Sequence, residues 1–158
     1  MASKDILKKL NFFSDFSDAE LEKLAPLFSE RSYRAGETMI PEHAENKEMM
    51  VLIEGKAAVE VATRLSENAE RLVLTMESSP GRIIEWSNAF DLVQSGGTAS
   101  ARAVSDVKVL VAEGQAVCQI CTKEPQLGIK VLQLILQVLT SRLKDTRMQL
   151  VSMAAQCQ

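Results

Sequence analysis

The spacing of hydrophobic positions changes twice along this chain. Leu21, Leu24, Leu27 and Phe28 recur at helical intervals behind Ser17-Asp18-Ala19-Glu20. In that tetrad a hydroxyl and a glutamate three residues on can cap each other's backbone donors, so a helix is predicted over roughly 18–29. A shorter helix is expected over 3–9, leading to an apolar corner at Asn11–Phe13. From Arg31 the pattern shortens to alternating pieces around Gly36, which reads as strand, turn, strand. Met50 and Leu52, then Val59 and Val61, flank the turn Glu54-Gly55-Lys56 as the arms of a hairpin. Further strands are predicted at 69–76, Gly81–Glu85, Thr98–Ala103 and Val107–Ala112.

About eight short strands in the first 112 residues, with turns at short spacing, imply a sandwich or rolled barrel rather than alternating βαβ units. Thereafter the helical period returns. Glu113–Thr122 is a short segment, and Pro125 suits the first turn of a helix predicted to run to about Met153. That helix carries one apolar stripe through Leu132, Ile135, Leu139, Leu143, Leu150 and Met153, and a second through Val131, Leu134 and Val138. Two apolar faces need two partners. One is the strand region; the other, met by the outer stripe of Leu132, Ile135, Leu139, Leu143 and Leu150, is expected to be the same helix of a second copy, giving a homodimer. The division expected is 1–115 for the leading helices and the strand region, and 116–158 for the closing helices.

Composition narrows the function classes. At 158 residues, 46% hydrophobic, 25% charged and a net charge of −3, the chain lacks the basic excess expected for nucleic acid or an acidic membrane surface. No apolar run is long enough for a membrane span or signal peptide, and three cysteines make no staple framework, so a reducing cytoplasm is expected. Cys118 and Cys121 form a lone CxxC without a second pair or a neighbouring histidine, and are read as helix core. His43, the sole histidine, sits in a charged loop and is read as surface. No nucleophile–base pair, metal spacing or Walker-type loop points to an enzyme.

The blocks Arg31-Ser-Tyr-Arg-Ala-Gly-Glu-Thr-Met-Ile40, Met50-Val-Leu-Ile-Glu-Gly-Lys-Ala-Ala-Val59, Gly81-Arg-Ile-Ile84 and Thr98-Ala-Ser-Ala-Arg-Ala103, closed by a long helix, resemble a cyclic nucleotide-binding domain of the catabolite-activator type over about residues 7 to 150. The resemblance implies an α+β, mainly β fold: an eight-stranded antiparallel β-roll or jelly roll, with an N-terminal helix and a long C-terminal helix that often pairs in a dimer. It also implies a phosphate cassette, G-x-x-F-G-E-L-A-L, a spacer, then R-x-A-x-V. In the family, backbone N–H groups and the arginine hold the cyclic phosphate, and the glutamate holds the ribose.

Laid on that pattern, Gly81 takes the first glycine and Ile84 the phenylalanine. Glu85 falls on the second glycine, Trp86 on the ribose-binding glutamate, and Gly97 on the arginine, with Ser87, Thr98 and Ala99 completing the candidate pocket. The alternative register, one residue shifted, places Glu85 on the glutamate and Ile84 on the glycine. A bidentate Arg–phosphate contact contributes about 1.5–3 kcal/mol. A desolvated anion left unpartnered costs about 3–5 kcal/mol. Together these correspond to binding weaker by about ten- to several-thousand-fold. Trp86 offers only an N–H donor and cannot accept a ribose hydroxyl proton. Its ring is expected either to fill the vacated pocket or to wall a site for a different, flat effector. Arg102 is predicted by strand parity to point away from the pocket floor, as are Thr98 and Ser100, and Arg82 to sit on the turn surface.

The expectation is therefore a non-catalytic regulatory module without a resident cofactor. Its effector would be an unidentified small molecule, and it would not bind cAMP or cGMP at ordinary strength. The alternative is an atypical cyclic nucleotide receptor that holds the phosphate with Arg82 and backbone donors. No helix-turn-helix segment follows the long helix, so DNA binding is not expected.

Overall fold

A computed structural model of the chain describes residues 1–62, 70–85 and 99–156. Two short helices lead, α1 (Lys4–Lys8) and α2 (Asp18–Leu24), separated by a 3-10 turn at Asn11–Phe13. The capping box forms as predicted: Glu20 N–H donates to Ser17 Oγ at 3.3 Å and Ser17 N–H to Glu20 Oε2 at 2.7 Å. α2 stops five residues short of the predicted end. Pro26 lacks the N–H that a helix interior needs, so Ala25–Leu27 becomes a 3-10 turn and Phe28 already starts a strand.

Eight strands follow among the described residues: β1 (Phe28–Tyr33), β2 (Thr38–Ile40), β3 (Glu48–Glu54), β4 (Ala57–Ala62), β5 (Arg71–Glu77), β6 (Ile83–Glu85), β7 (Ser100–Ala103) and β8 (Val107–Glu113). They form two antiparallel four-stranded sheets, ordered β1-β8-β3-β6 and β2-β7-β4-β5, which face each other as a roll. This is the mainly β jelly-roll architecture, flanked by helices, that the sequence predicts.

The continuous apolar runs in β3 and β8 have a direct cause: the sheet they centre is covered on both sides. Met49, Val51, Leu110 and Ala112 turn outward to a core shared with Phe13, Leu21, Leu24 and the closing helices. Met50, Leu52, Val107, Val109 and Val111 turn inward and fill the roll with Ile40, Ile84, Ala101 and Ala103.

The chain closes with α3 (Gly114–Lys123) and α4 (Pro125–Gln156), which is 32 residues long. Glu124 between them is pushed out of the helical region by the proline that follows it (φ −123°, ψ 79°). α4 has two apolar faces, but they are divided differently from the prediction. Leu127, Val131 and Ile135 are buried in the outer core with Leu134 and Val138 against them. Ile135, expected on the outer stripe, is only 6% exposed; Leu136 takes its place at 58%. The outward stripe is then Ile129, Leu132, Leu136, Leu139, Leu143, Leu150 and Met153, alternating steps of three and four with Thr146 filling the one gap.

Candidate functional site

Gly81 opens the segment expected to cradle phosphate, and its local geometry shows why it is glycine. Its φ is +84°, and a Cβ there would stand 2.7 Å from Asn11 N and 2.9 Å from Phe12 N. Its own N–H donates to Leu52 O at 2.7 Å. The residue fastens the turn to β3 and lets the N-terminal corner approach; its backbone donor is already engaged. The cavity beside it, about 210 Å³, is lined by Phe12, Gly81, Arg82, Leu134, Gln137 and Val138.

Ile84 is 2% exposed and packs inside the roll. Glu85 ends β6 opposite Met50 and is half-buried. Ala99 lies half-buried just before β7. Trp86, Ser87, Gly97 and Thr98 lie outside the described residues, so the structure brings Gly81, Ile84 and Glu85 together at one end of the segment and Ala99 to the other.

The cations near this segment are where the structure adds most. Arg102 points away from the roll interior, as parity requires, while its neighbours Ala101 and Ala103 point in. It is engaged there. Its Nη2 donates to Glu60 Oε1 at 2.6 Å and its Nε to the same oxygen at 3.1 Å. Glu60 is 1% exposed, and its carboxylate raises Arg102 above the usual guanidinium value. Arg82 lies at the turn with its side chain 42% exposed, as expected, but it is not free: its Nε donates to the carboxylate of buried Glu77 at 2.9 Å. Ser100 faces outward but is 3% exposed, accepting from Arg71 and donating to Glu60 O.

A third arginine was not singled out from sequence. Arg142 of α4 reaches β6, its Nη2 donating to Ile83 O at 2.7 Å and Ile84 O at 2.9 Å. Burial pulls its pKa down, and the carboxylates of Glu77 and Glu85 pull it back up. Glu85 thus has a compensating cation within electrostatic reach, which the sequence did not reveal. Arg142 Nε and Glu77 Oε1 are buried without a hydrogen bond, the two side chains approaching no closer than the 3.8 Å between Nη2 and Oε1. The one sequence signal for Arg142 is its spacing, seven residues beyond buried Ile135 on an otherwise inward stripe.

The larger cavity, about 430 Å³, opens elsewhere, between Tyr33, Arg34, Glu37, Glu54, Asp106 and Lys108. It sits at the opposite end of β3 from the Met50–Glu85 pair, and two of its three carboxylates already accept backbone N–H groups of Arg34 and Ala35. No group of histidines, cysteines and carboxylates among the described residues has metal-holding geometry. Cys118 and Cys121 are half-buried, and burial pushes the Cys121 thiol up to about 11, which disfavours its thiolate at neutral pH. His43 is exposed, in the left-handed region at φ 63°. No described helix is long and apolar enough to cross a membrane.

The profile of the cyclic nucleotide-binding domain matches residues 30–124, from β1 through the segment above to the end of α3. The chain belongs to the cyclic nucleotide-binding domain family. Solved structures agree on the fold. A putative cyclic nucleotide-binding protein from Geobacter metallireducens superposes at TM-score 0.70 with 24% identity, over 90% of this chain and 99% of that one. A cyclic nucleotide-binding domain from Methylobacillus flagellatus gives 0.75 with 23% identity, over 94% and 80%. The catabolite activator protein of Thermus thermophilus gives 0.70 with 17% identity, over 90% of this chain and 62% of that one. The search of curated proteins finds no match.

Proposed function

We propose that this cyclic nucleotide-binding domain is a non-catalytic regulatory module that keeps the backbone frame of the nucleotide cradle but not its side-chain contacts. On this reading it does not hold cAMP or cGMP at ordinary strength, and any effector is a different small molecule. The observation that carries the reading concerns the cations. In the register read from the sequence, Gly97 falls on the family's arginine position. The two arginines that sequence offers as replacements, Arg82 and Arg102, are each drawn onto a buried carboxylate, Glu77 and Glu60. Recruiting either to a phosphate would strand a carboxylate in the interior, at a cost of about 3–5 kcal/mol where the site is fully enclosed.

The output is α4. Its outward stripe leaves seven large apolar side chains 41–67% exposed, in heptad alternation. A second copy offers the same stripe by two-fold symmetry, so the module acts as a homodimer through Ile129, Leu132, Leu136, Leu139, Leu143, Leu150 and Met153. Native mass spectrometry of freshly purified protein tests both parts. The expected spectrum is a dimer, either unliganded or carrying a small molecule other than a cyclic nucleotide. A retained cyclic nucleotide would favour the atypical receptor instead, and a monomer would remove the output.

A further inference from the structure

The larger cavity, at the far end of β3 from Glu85, is rimmed by turns that hold one another in place. In the turn from β1 to β2, Arg34 N–H donates to Glu37 Oε2 at 2.8 Å and Ala35 N–H to Asp106 Oδ1 at 2.9 Å. The turn from β3 to β4 is tied to the one before β8: Lys56 N–H donates to Ser105 Oγ at 3.0 Å, and Val104 N–H to Lys56 O at 2.8 Å. Gly55 is required there, because a Cβ would collide with Asp106 O. The rim is thus pre-formed, and one oxygen each of Glu37 and Asp106 is spent on it.

Three charged side chains on this rim are not spent. Strand register sets Ser32, Lys108 and Glu54 in one row across β1, β8 and β3. Lys108 and Glu54 are therefore direct cross-strand neighbours of opposite charge, an arrangement that favours a pair. Yet among the described residues neither has an ion-pair partner within 4.0 Å, and nor has Arg34. Other exposed pairs on this chain do close, Lys8 on Asp18 at 2.6 Å and Lys23 on Glu124 at 2.7 Å. Arg34, Lys108 and Glu54 all line the cavity of about 430 Å³, a volume within the range of small-molecule sites. Half-buried Tyr33 is its aromatic wall, packed against the roll core behind it and accepting at its hydroxyl from Arg31 Nη1 at 3.4 Å.

The charges select the ligand. A simple anion would face Glu37, Glu54 and Asp106 without compensation, and a simple cation would face Arg34 and Lys108. A small zwitterion satisfies both signs at once. We propose that this cavity binds a free α-amino acid, with Arg34 and Lys108 on its carboxylate, Glu54 on its ammonium, and Tyr33 along its side chain. The site lies outside the roll interior and depends neither on the dimer reading nor on how the cradle treats cyclic nucleotides.

Titration of the full ¹⁵N-labelled chain with each standard amino acid, to about 10 mM, tests this through the amide shifts. At least one is expected to move amides within 32–37, 54–56 and 105–108 and to leave those of β6 in place. Its N-acetyl derivative lacks the ammonium and its decarboxylated amine lacks the carboxylate; each should bind about ten-fold or more weakly. Glu54→Gln should erase the penalty for N-acetylation alone. Arg34→Met combined with Lys108→Met should erase the penalty for decarboxylation alone. Arg34 and Glu54 are exposed and Lys108 half-buried, none with an ion-pair partner to lose, so the variants should fold as wild type does. No amino acid moving these amides, or shifts spread away from the rim, overturns the proposal. So do variants that keep both penalties, and so does an N-acetyl form that binds as well as its parent, which would mark an anion site instead.

Discussion

Gly81→Ala is the substitution whose consequence the structure fixes most tightly. An alanine at φ +84° sits in the left-handed region, which costs about 1–2 kcal/mol for a residue with a Cβ. The new methyl would also stand 2.7 Å from Asn11 N and 2.9 Å from Phe12 N. These are backbone atoms, which cannot rotate aside, so the corner that carries buried Phe12 and Phe13 must shift; overpacking of this kind costs about 1–3 kcal/mol. The total expected is about 2–5 kcal/mol. Gly36→Ala is the internal control, since its φ is +87° but nothing lies within 4 Å of its Cβ position. It should lose about 1–2 kcal/mol from conformation alone. Urea unfolding of the two variants beside wild type, read as midpoint at constant slope, isolates the steric part. If Gly81→Ala is no worse than Gly36→Ala, then the close approach of the N-terminal corner is not what demands glycine here, and the reading of Gly81 as a structural residue fails.

Glu60→Gln should destabilise the fold by about 1–3 kcal/mol, less than the full cost of breaking a buried pair because the Arg102 side chain is 40% exposed; unfolding of the single and paired variants checks it. Leu136→Asp should weaken the dimer about 100-fold or more in sedimentation while leaving the fold intact, because it buries a carboxylate in the pairing face. Ile135→Ala, one residue away, should do the reverse, costing about 2–4 kcal/mol of stability with little change in association. Glu20 has its pKa held below the ordinary carboxylate value, first by the hydrogen bond from Lys130 and then by the Ser17 backbone. Its stabilising contribution is therefore present above about pH 4.5 and lost as pH falls through the depressed folded value, so Lys130→Met should flatten the acid limb of stability against pH.

The frame of the roll was legible because its signals are local or periodic. The Ser17–Glu20 box, the Gly55 turn and the unbroken apolar runs of β3 and β8 each state their structure within a few residues. Three things were not legible. Pro26 ended α2 early although the apolar spacing ran on to Phe28, because one missing donor outweighs a weak periodic pattern. Ile135 and Leu136 are both apolar and adjacent on a helix with two apolar faces, so only the packed core decides which turns inward. The bulges at Leu74 and Ile84 shift strand parity by one residue and come from register across strands, which no local pattern records. The same holds at the site. Parity placed Arg102 on the outward face, but its partner Glu60 is 42 residues away in sequence, and the reach of Arg142 from α4 to β6 is longer still.

The central claim is that, among the described residues, this family member's cradle offers no cation free to meet a cyclic phosphate. Isothermal titration calorimetry of the freshly purified, ligand-stripped chain with cAMP and with cGMP tests it most directly. The account predicts no binding at micromolar or tighter affinity for either nucleotide. A micromolar or tighter dissociation constant that is lost in Arg82→Met would contradict it, showing that the guanidinium leaves Glu77 to hold the phosphate.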